Sequence, residues 1–118
     1  MRNATTNYYY QLKANLDPSK TLEQLQDAVA TPTLGYHVHH IVELESGLED
    51  GFSEDLLNSP ENLVEIPEMK HREITTWFRT PNPDYDWLSP RDYLRGSSWD
   101  ERRKVGIDAL TKFGVLKP

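Results

Sequence analysis

The sequence predicts an α+β domain in which a strand, a long loop, a second strand and a helix form a central unit. Three observations favour this fold. Apolar residues recur at helical spacing near both ends of the chain, strand-forming residues occupy two short middle segments, and a proline opens a helical pattern directly after the second segment. The 118 residues suffice for one domain with a modest core. We assign residues 1–33 to helical support, 34–80 to the central unit and 81–118 to a C-terminal loop and helices.

Composition narrows the possible functions. The chain has a formal net charge of −6 and no cysteine. The lack of cysteine excludes disulfides, thiol catalysis and cysteine-bound zinc. A negative charge is unfavourable for a passive nucleic-acid binder, since phosphate contacts supply most of its affinity. No apolar run approaches the ~20 residues of a membrane span, and the N-terminus lacks a signal-peptide pattern, so we expect no membrane association of this fragment.

The N-terminal third predicts two helices. The first spans Asn3–Leu16 and has an apolar stripe at four-residue spacing, formed by Tyr8, Leu12 and Leu16. The second spans Leu22–Ala30 and begins with a capping box between Thr21 and Gln24. We expect the tyrosine run at residues 8–10 to serve packing more than base stacking.

The middle of the chain predicts a hairpin followed by a helix. Thr33–Leu44 and Asn62–Ile66 have strand character, and the polar segment 45–60 between them is loop-like, with one helical turn near 51–57. Pro67 suits the first helical position. The helix that it opens ends near Arg79, and its predicted buried stripe consists of Ile74, Trp77 and Phe78.

The C-terminal segment predicts a proline-rich loop and two helices. The loop spans Pro81–Leu88, Ser89 caps a short helix, and the last helix spans Trp99–Phe113 before Gly114. One face of the last helix is predicted to hold Trp99, Arg103, Gly106, Ile107, Leu110 and Phe113. We expect the tryptophans at 77, 87 and 99 to lie in the core.

The histidines are the candidate site. His37, His39 and His40 lie in the first predicted strand, and the fourth histidine, His71, lies in the helix after the second strand. Adjacent strand residues point to opposite faces, so one histidine can bind a metal while its neighbour acts as a base. The amide or the backbone carbonyl of Asn62, which opens the returning strand, is placed to hold the base in one tautomer.

These residues resemble the HNH (ββα-metal) endonuclease motif, and more narrowly the "AHH" type of nuclease domain. The similarity covers Tyr36–Trp77 and runs through Val38-His39-His40-Ile41-Val42-Glu43, then Asn62-Leu63-Val64 and Lys70-His71. The resemblance implies that His39 and His71 bind the metal, His40 is the general base and Asn62 orients it. Two positions depart from the pattern: Thr75 stands where many members have a further His or Asn, and Val38 where the narrower type has alanine.

The resemblance also implies a function. It predicts a metal-dependent endonuclease that hydrolyses DNA with little sequence preference, as the toxic effector domain of a bacterial polymorphic toxin delivered into a target cell. A cognate immunity protein is the expected partner. RNA cleavage by the same site is an alternative. The cofactor is a divalent metal, Mg²⁺, Mn²⁺, Ni²⁺ or Zn²⁺, and a site with few nitrogen ligands favours the first three over tightly held zinc.

Several residues near the motif have two interpretations. His37 is a third ligand, a phosphate contact or an exposed structural histidine. Thr75 completes the metal shell through water, touches phosphate or is a surface residue. Arg72 and Arg79 clamp phosphate or are merely solvated, and the acids at 43 and 65 either assist the metal or occupy solvated strand positions. A function of another class, a structural metal clip or a degenerate fold that binds protein, fits the acidic surface.

Overall fold

The computed structural model describes residues 4–118, with side chains from residue 7 onward. It has an α+β fold, which confirms the predicted class. Over the described range the elements are α1 (Ala4–Asn15), α2 (Leu22–Asp27), β1 (Tyr36–His40), α3 (Leu44–Glu49), α4 (Glu54–Leu57), β2 (Leu63–Pro67), α5 (Glu68–Phe78), α6 (Pro90–Tyr93) and α7 (Trp99–Lys112). None of the described helices combines the length and apolar character needed to cross a membrane.

The two strands form the predicted antiparallel hairpin. His39 lies opposite Val64 and His40 opposite Leu63. Helix α5 follows β2 without a loop, so the strand, strand and helix follow in the expected order. Pro67 differs slightly from its prediction, because it is the last strand residue and the N-cap of α5, with an extended ψ of 136°.

The core lies between the hairpin, α5 and α7. Its fully buried members include Ile41, Val64, Ile66, Ile74, Phe78, Ala109 and Leu110. Helix α7 approaches the end of β1 so closely that a Cβ atom on Gly106 would lie 2.2 Å from the carbonyl oxygen of Ile41. A glycine is therefore required where α7 crosses the hairpin, which brings the C-terminal helix against the candidate site.

Helix α1 forms as predicted but buries a different face. Its expected stripe is solvent-exposed, with Tyr8, Leu12 and Leu16 at 57%, 42% and 84% exposure, and Tyr9 is also exposed. Among the α1 side chains that the structure describes, from residue 7 onward, Ala14 is the buried one. The physical reason is a close backbone contact, since a Cβ on Gly35 would lie 2.3 Å from the carbonyl oxygen of Tyr10. Only a small side chain such as Ala14 fits on that side. The predicted first residue, Asn3, lies outside the described residues.

The C-terminal region also contradicts two burial predictions. Helix α7 turns a neighbouring face inward, formed by Arg102, Val105, Gly106, Ala109 and Leu110. Trp87, expected in the core, is 71% exposed. It has a positive φ of 63° in a turn closed by its amide, which donates to the carbonyl of Asn82 at 3.0 Å. This turn directs the indole away from the protein.

The connection between the strands is more ordered than the loop-like prediction. It contains α3 and α4, and α3 was not predicted because Gly47 interrupts its helical pattern. That glycine has a packing role, since a Cβ there would lie 2.6 Å from Cδ2 of Leu57. The predicted solvated position of Glu65 is wrong as well. Its carboxylate is buried and accepts the amide of Thr33 at 2.7 Å.

Candidate metal and catalytic site

The hairpin presents two neighbouring histidines on opposite sides of β1. His39 is buried, whereas His40 is half-buried at the end of the strand. Regular pairing ends just beyond His40, where the amide of Ile41 donates to the carbonyl of Asn62 at 2.9 Å. Alternation along the strand thus separates the two rings, as the sequence predicts.

His71 lies near the start of α5 and faces His39. Their Nδ1 atoms are 3.0 Å apart, although the residues are 32 positions apart in the chain. The rings meet edge to face, with centroids 5.2 Å apart and an interplanar angle of 77°. Because α5 starts immediately after β2, its first turns pack back against β1 and bring the two histidines together.

Burial keeps both rings neutral. Desolvation, followed by the charges of His71 and His40, lowers the pKa of His39 to about 3. Desolvation, with His37 and His40, also lowers the pKa of His71, against an opposing effect of Glu68. Near neutral pH each imidazole therefore has one protonated and one unprotonated nitrogen. The facing Nδ1 atoms can share either one proton or one cation.

The facing nitrogens fit a divalent metal ion. Two nitrogens bound about 2.1 Å from one ion stand about 3.0 Å apart when their bonds meet at a right angle. This matches the 3.0 Å between Nδ1 of His39 and Nδ1 of His71. Within residues 4–118, no group of three or more histidine, cysteine or acidic side chains is arranged to hold a metal. The fit therefore depends on these two rings.

One atom of the pair has no partner. Nε2 of His39 is buried and makes no hydrogen bond. With a cation at Nδ1, the neutral ring carries its proton on Nε2, and a buried donor without an acceptor costs about 1–3 kcal/mol. Metal-binding histidines usually donate this proton to a carboxylate or a carbonyl. We therefore expect a weakly held metal.

His40 is held by a residue outside the motif. Its Nε2 atom lies 2.8 Å from Oδ1 of Asn58, the residue that follows α4. The sequence assigned this task to Asn62, but neither of the two proposed groups of Asn62 contacts His40. Its amide bonds to other backbone groups and its carbonyl accepts the amide of Ile41.

Asn62 is fully buried and joins the two sides of the connection between the strands. Its Oδ1 accepts the amide of Val42 at 2.8 Å, and its Nδ2 donates to the carbonyls of Val42 at 3.1 Å and Leu57 at 2.8 Å. All the hydrogen-bonding capacity of its NH₂ group is thus used for backbone contacts. Asn62 fixes the end of β1 and the end of α4, which carry His40 and Asn58.

A second group of polar side chains borders the histidine pair. The rings of His37 and His71 are 5.6 Å apart between centroids. Nε2 of His37 lies 3.5 Å from a carboxylate oxygen of Glu68, which also pairs with Arg72. His37 and Arg72 are both largely exposed beside His71. Glu68 thus pairs with both of these side chains at the surface next to His71.

Thr75 and Arg79 occupy the later turns of α5. The Thr75 hydroxyl donates to the carbonyl of His71 at 2.9 Å, one turn back in the same helix. Arg79 is exposed at the C-cap of α5. Eight residues of helix place it roughly 12 Å along the axis from His71, so the structure does not bring Arg79 to the histidines.

Several other charged residues brace the fold around the site. Arg91 forms a two-pronged pair with Glu43, at 2.9 and 2.6 Å, so that carboxylate is engaged in an ion pair. Arg102 is buried and binds the hydroxyl of Ser46 and the carboxylate of Asp50. These contacts hold α3 against α6 and α7.

Sequence reasoning missed Asn58 and Glu68. A signal existed for Glu68, since it lies three residues before His71 and therefore on the same helical face. For Asn58 the only local signal was its position after a short capped helix. Its contact with His40 depends on the path of the connection between the strands, which no local pattern reports.

Comparison of the chain with protein-family models, curated proteins and solved structures found no match.

Proposed function

We propose that this protein is a metal-dependent endonuclease of the HNH type, with a ββα-metal core, which hydrolyses phosphodiester bonds of DNA. The observation that carries the proposal is the pair of neutral imidazoles, His39 and His71, with Nδ1 atoms 3.0 Å apart beside the half-buried His40. Hydrolysis of a phosphodiester needs a base for water and stabilisation of the developing charge. This arrangement offers both within one small site.

The chain's residues divide these tasks. His39 and His71 would hold the divalent ion through Nδ1, and the bound ion would polarise the phosphodiester and offset its charge. His40 lies at the end of β1 and is not part of the facing pair, so the ring nitrogen that does not face Asn58 would be available to take a proton from water. Arg72 is exposed next to His71 and pairs with Glu68, so a phosphate at the site would compete with that carboxylate for its guanidinium.

A bound metal ion would help this acidic protein to bind nucleic acid, since both carry negative charge. The net charge is −6, and arginines such as Arg91 and Arg102 are engaged in ion pairs. A divalent cation would reverse the local sign of the field at the site. The metal and the base read only the phosphodiester, which DNA and RNA share. The resemblance to HNH nucleases makes DNA the expected substrate, with RNA as the alternative.

The same proposal includes a biological setting. The motif supports a role as the toxic effector domain of a bacterial polymorphic toxin, delivered into a target cell. The acidic surface would suit a cognate immunity protein with a basic face, because complementary charges accelerate association and favour the correct partner.

A plasmid-nicking assay tests the proposal. Supercoiled plasmid, tRNA and single-stranded DNA are incubated with the protein and Mg²⁺, Mn²⁺, Ni²⁺ or Zn²⁺. We expect nicking with at least one metal, complete inhibition by EDTA, and loss of at least ~100-fold in His40→Ala. Circular dichroism and thermal melting check that this variant is folded.

Two outcomes would contradict the assignment. Full activity of His40→Ala would exclude this residue as the base. Absence of cleavage of every substrate with every metal would remove the nuclease function and leave the second candidate.

That second candidate is a protein-binding module in which the histidine pair is a structural metal clip. The acidic surface and the paired arginines favour a protein partner over phosphate. Thermal melting with and without chelator separates the two functions. A structural clip unfolds when the metal is removed, whereas a protein with a catalytic site loses activity and remains folded, with Tm lower by several degrees.

A further inference from the structure

We infer that Asn58 is the positioning residue of the base His40. The inference builds on the proposed function and goes beyond the motif, which assigns this task to Asn62. The contact that carries it is the 2.8 Å approach of Oδ1 of Asn58 to Nε2 of His40.

The chemistry of the contact selects one tautomer. An amide oxygen only accepts hydrogen bonds, so Nε2 of His40 must be the protonated nitrogen when it faces Oδ1 of Asn58. The unprotonated nitrogen of the neutral ring is then Nδ1. Asn58 thereby specifies which atom of His40 is available to accept a proton, and it also fixes the rotation of the ring.

Asn58 is itself well held. It caps the C-terminus of α4, and its amide donates to the carbonyl of Glu54 at 2.9 Å. The preceding residue, Leu57, is fully buried, and its carbonyl accepts from Nδ2 of Asn62 at 2.8 Å. The backbone on which Asn58 stands is therefore anchored in the core while its side chain remains at the surface, facing His40.

The same contacts redefine the part played by Asn62. It joins Val42, two residues after His40, to Leu57, one residue before Asn58. Asn62 sets the distance between the base and its partner without touching the ring. The two asparagines act in series, with Asn62 aligning the backbones and Asn58 contacting the imidazole.

A purely structural role for the Asn58 contact is the alternative. An exposed hydrogen bond of this kind contributes about 0.5–1.5 kcal/mol to folding. Its removal would then change stability slightly and leave the ring chemistry alone. The experiment must therefore measure a property that does not depend on stability, such as the tautomer of His40.

The test uses Asn58→Ala, Asn58→Asp and the control Ser59→Ala. The control removes a neighbouring hydrogen bond, from the Ser59 hydroxyl to the carbonyl of Leu56 at 2.7 Å, without touching His40. Long-range proton–nitrogen NMR spectra of the metal-free proteins, recorded where His40 is neutral, report its tautomer without any need for activity.

We expect a single Nε2–H form of His40 in the native protein, in Ser59→Ala and in Asn58→Asp, whose carboxylate also only accepts. Asn58→Ala should show a second, Nδ1–H form. In the nicking assay, kcat of Asn58→Ala should fall about tenfold, as part of the 10²–10⁴ that a positioned base contributes, with KM changed less than twofold.

Each part of the result is decisive. A native Nδ1–H form, or an unchanged tautomer in Asn58→Ala, would overturn the positioning role whether or not the protein cuts nucleic acid. A shifted tautomer with unchanged kcat would overturn the catalytic consequence. If no substrate is cleaved by the native protein, the proposed function fails while the NMR result still decides the role of Asn58.

Discussion

Nδ1 of His39 and Nδ1 of His71 face each other at 3.0 Å across the contact between the hairpin and α5. Two neutral imidazoles approach this closely when the Nδ1–H of one ring donates to the unprotonated Nδ1 of the other, or when both unprotonated nitrogens bind one metal ion. The pair is also partly withdrawn from water, since His39 is 4% exposed. This relationship is the basis for predictions on metal binding and on pH.

Metal should stabilise the protein through this pair. A ligand that binds only the folded state adds about 2.7 kcal/mol at ~100 times its Kd, which corresponds to a rise of several degrees in Tm. We expect Mn²⁺ or Ni²⁺ to raise Tm of the native protein. His39→Ala and His71→Ala should abolish the rise, because each removes one of two nitrogens. Differential scanning fluorimetry over a metal titration measures it.

His37→Ala is the matched control for this titration. His37 lies beside the pair, where it contacts the carboxylate of Glu68 and meets the His71 ring edge to face. It should retain most of the metal-dependent rise. A rise that survives in His71→Ala would place the metal elsewhere on the protein.

Acid should destabilise the metal-free protein below about pH 6.5. Burial lowers the pKa of His39 to about 3 in the folded protein, compared with 6.5 for a solvent-exposed histidine. Between these two pH values His39 is protonated in the unfolded chain but not in the folded protein. The free energy of unfolding therefore falls as pH falls. One such group gives a slope approaching about 1.4 kcal/mol per pH unit. The lowered pKa of His71 acts in the same direction.

Urea unfolding between about pH 7.5 and 5.5 measures this slope, in a range where most carboxylates stay ionised. His39→Gln provides the comparison, since an amide does not titrate. The slope of the variant should be shallower than that of the native protein. Equal slopes would show that His39 is not held neutral by burial.

Asn62 should be important for stability. Its side chain is fully buried and satisfies three backbone groups, two of Val42 and one of Leu57. Truncation leaves these groups unpaired in the interior at about 1–3 kcal/mol each. We expect Asn62→Ala to lower the free energy of unfolding by roughly 3–5 kcal/mol. Asn62→Asp should be at least as harmful, because it points a carboxylate oxygen at two carbonyls.

The control for this measurement is Asn58→Ala, at an exposed position, which should cost less than about 1.5 kcal/mol. Chemical denaturation compares the three variants. Inactivity of Asn62→Ala at native stability would instead mean that Asn62 acts directly in catalysis.

Much of the architecture follows from local signals. Thr21 and Ser89 were predicted to cap helices, and the side chain of each accepts a backbone N–H in the first turn of its helix. Ser98 makes the same contact at the start of α7. Strand-forming residues on both sides of a polar connection were enough to predict the hairpin. Such signals depend on neighbours in sequence, so they can be recognised without knowledge of the fold.

Burial was harder to predict, because helices expose more than one plausible apolar face. In α1 the close approach of Gly35 to the backbone of Tyr10 selects Ala14 and leaves the larger Leu16 outside. In α7 the contact of Gly106 with Ile41 turns Arg102 inward. Which face of each helix is buried therefore depends on the element packed against it, and it cannot be read from the sequence of the helix alone.

For the candidate site too, some features follow from local sequence patterns and others from tertiary packing. The sequence by itself determined the residue types and their order on strand, strand and helix, because strand alternation and helical spacing are local properties. Only the tertiary structure decided that His39 meets His71, that Asn62 bonds to backbone, and that Asn58 holds His40. Each of these contacts joins residues at least five positions apart and depends on how the elements pack together.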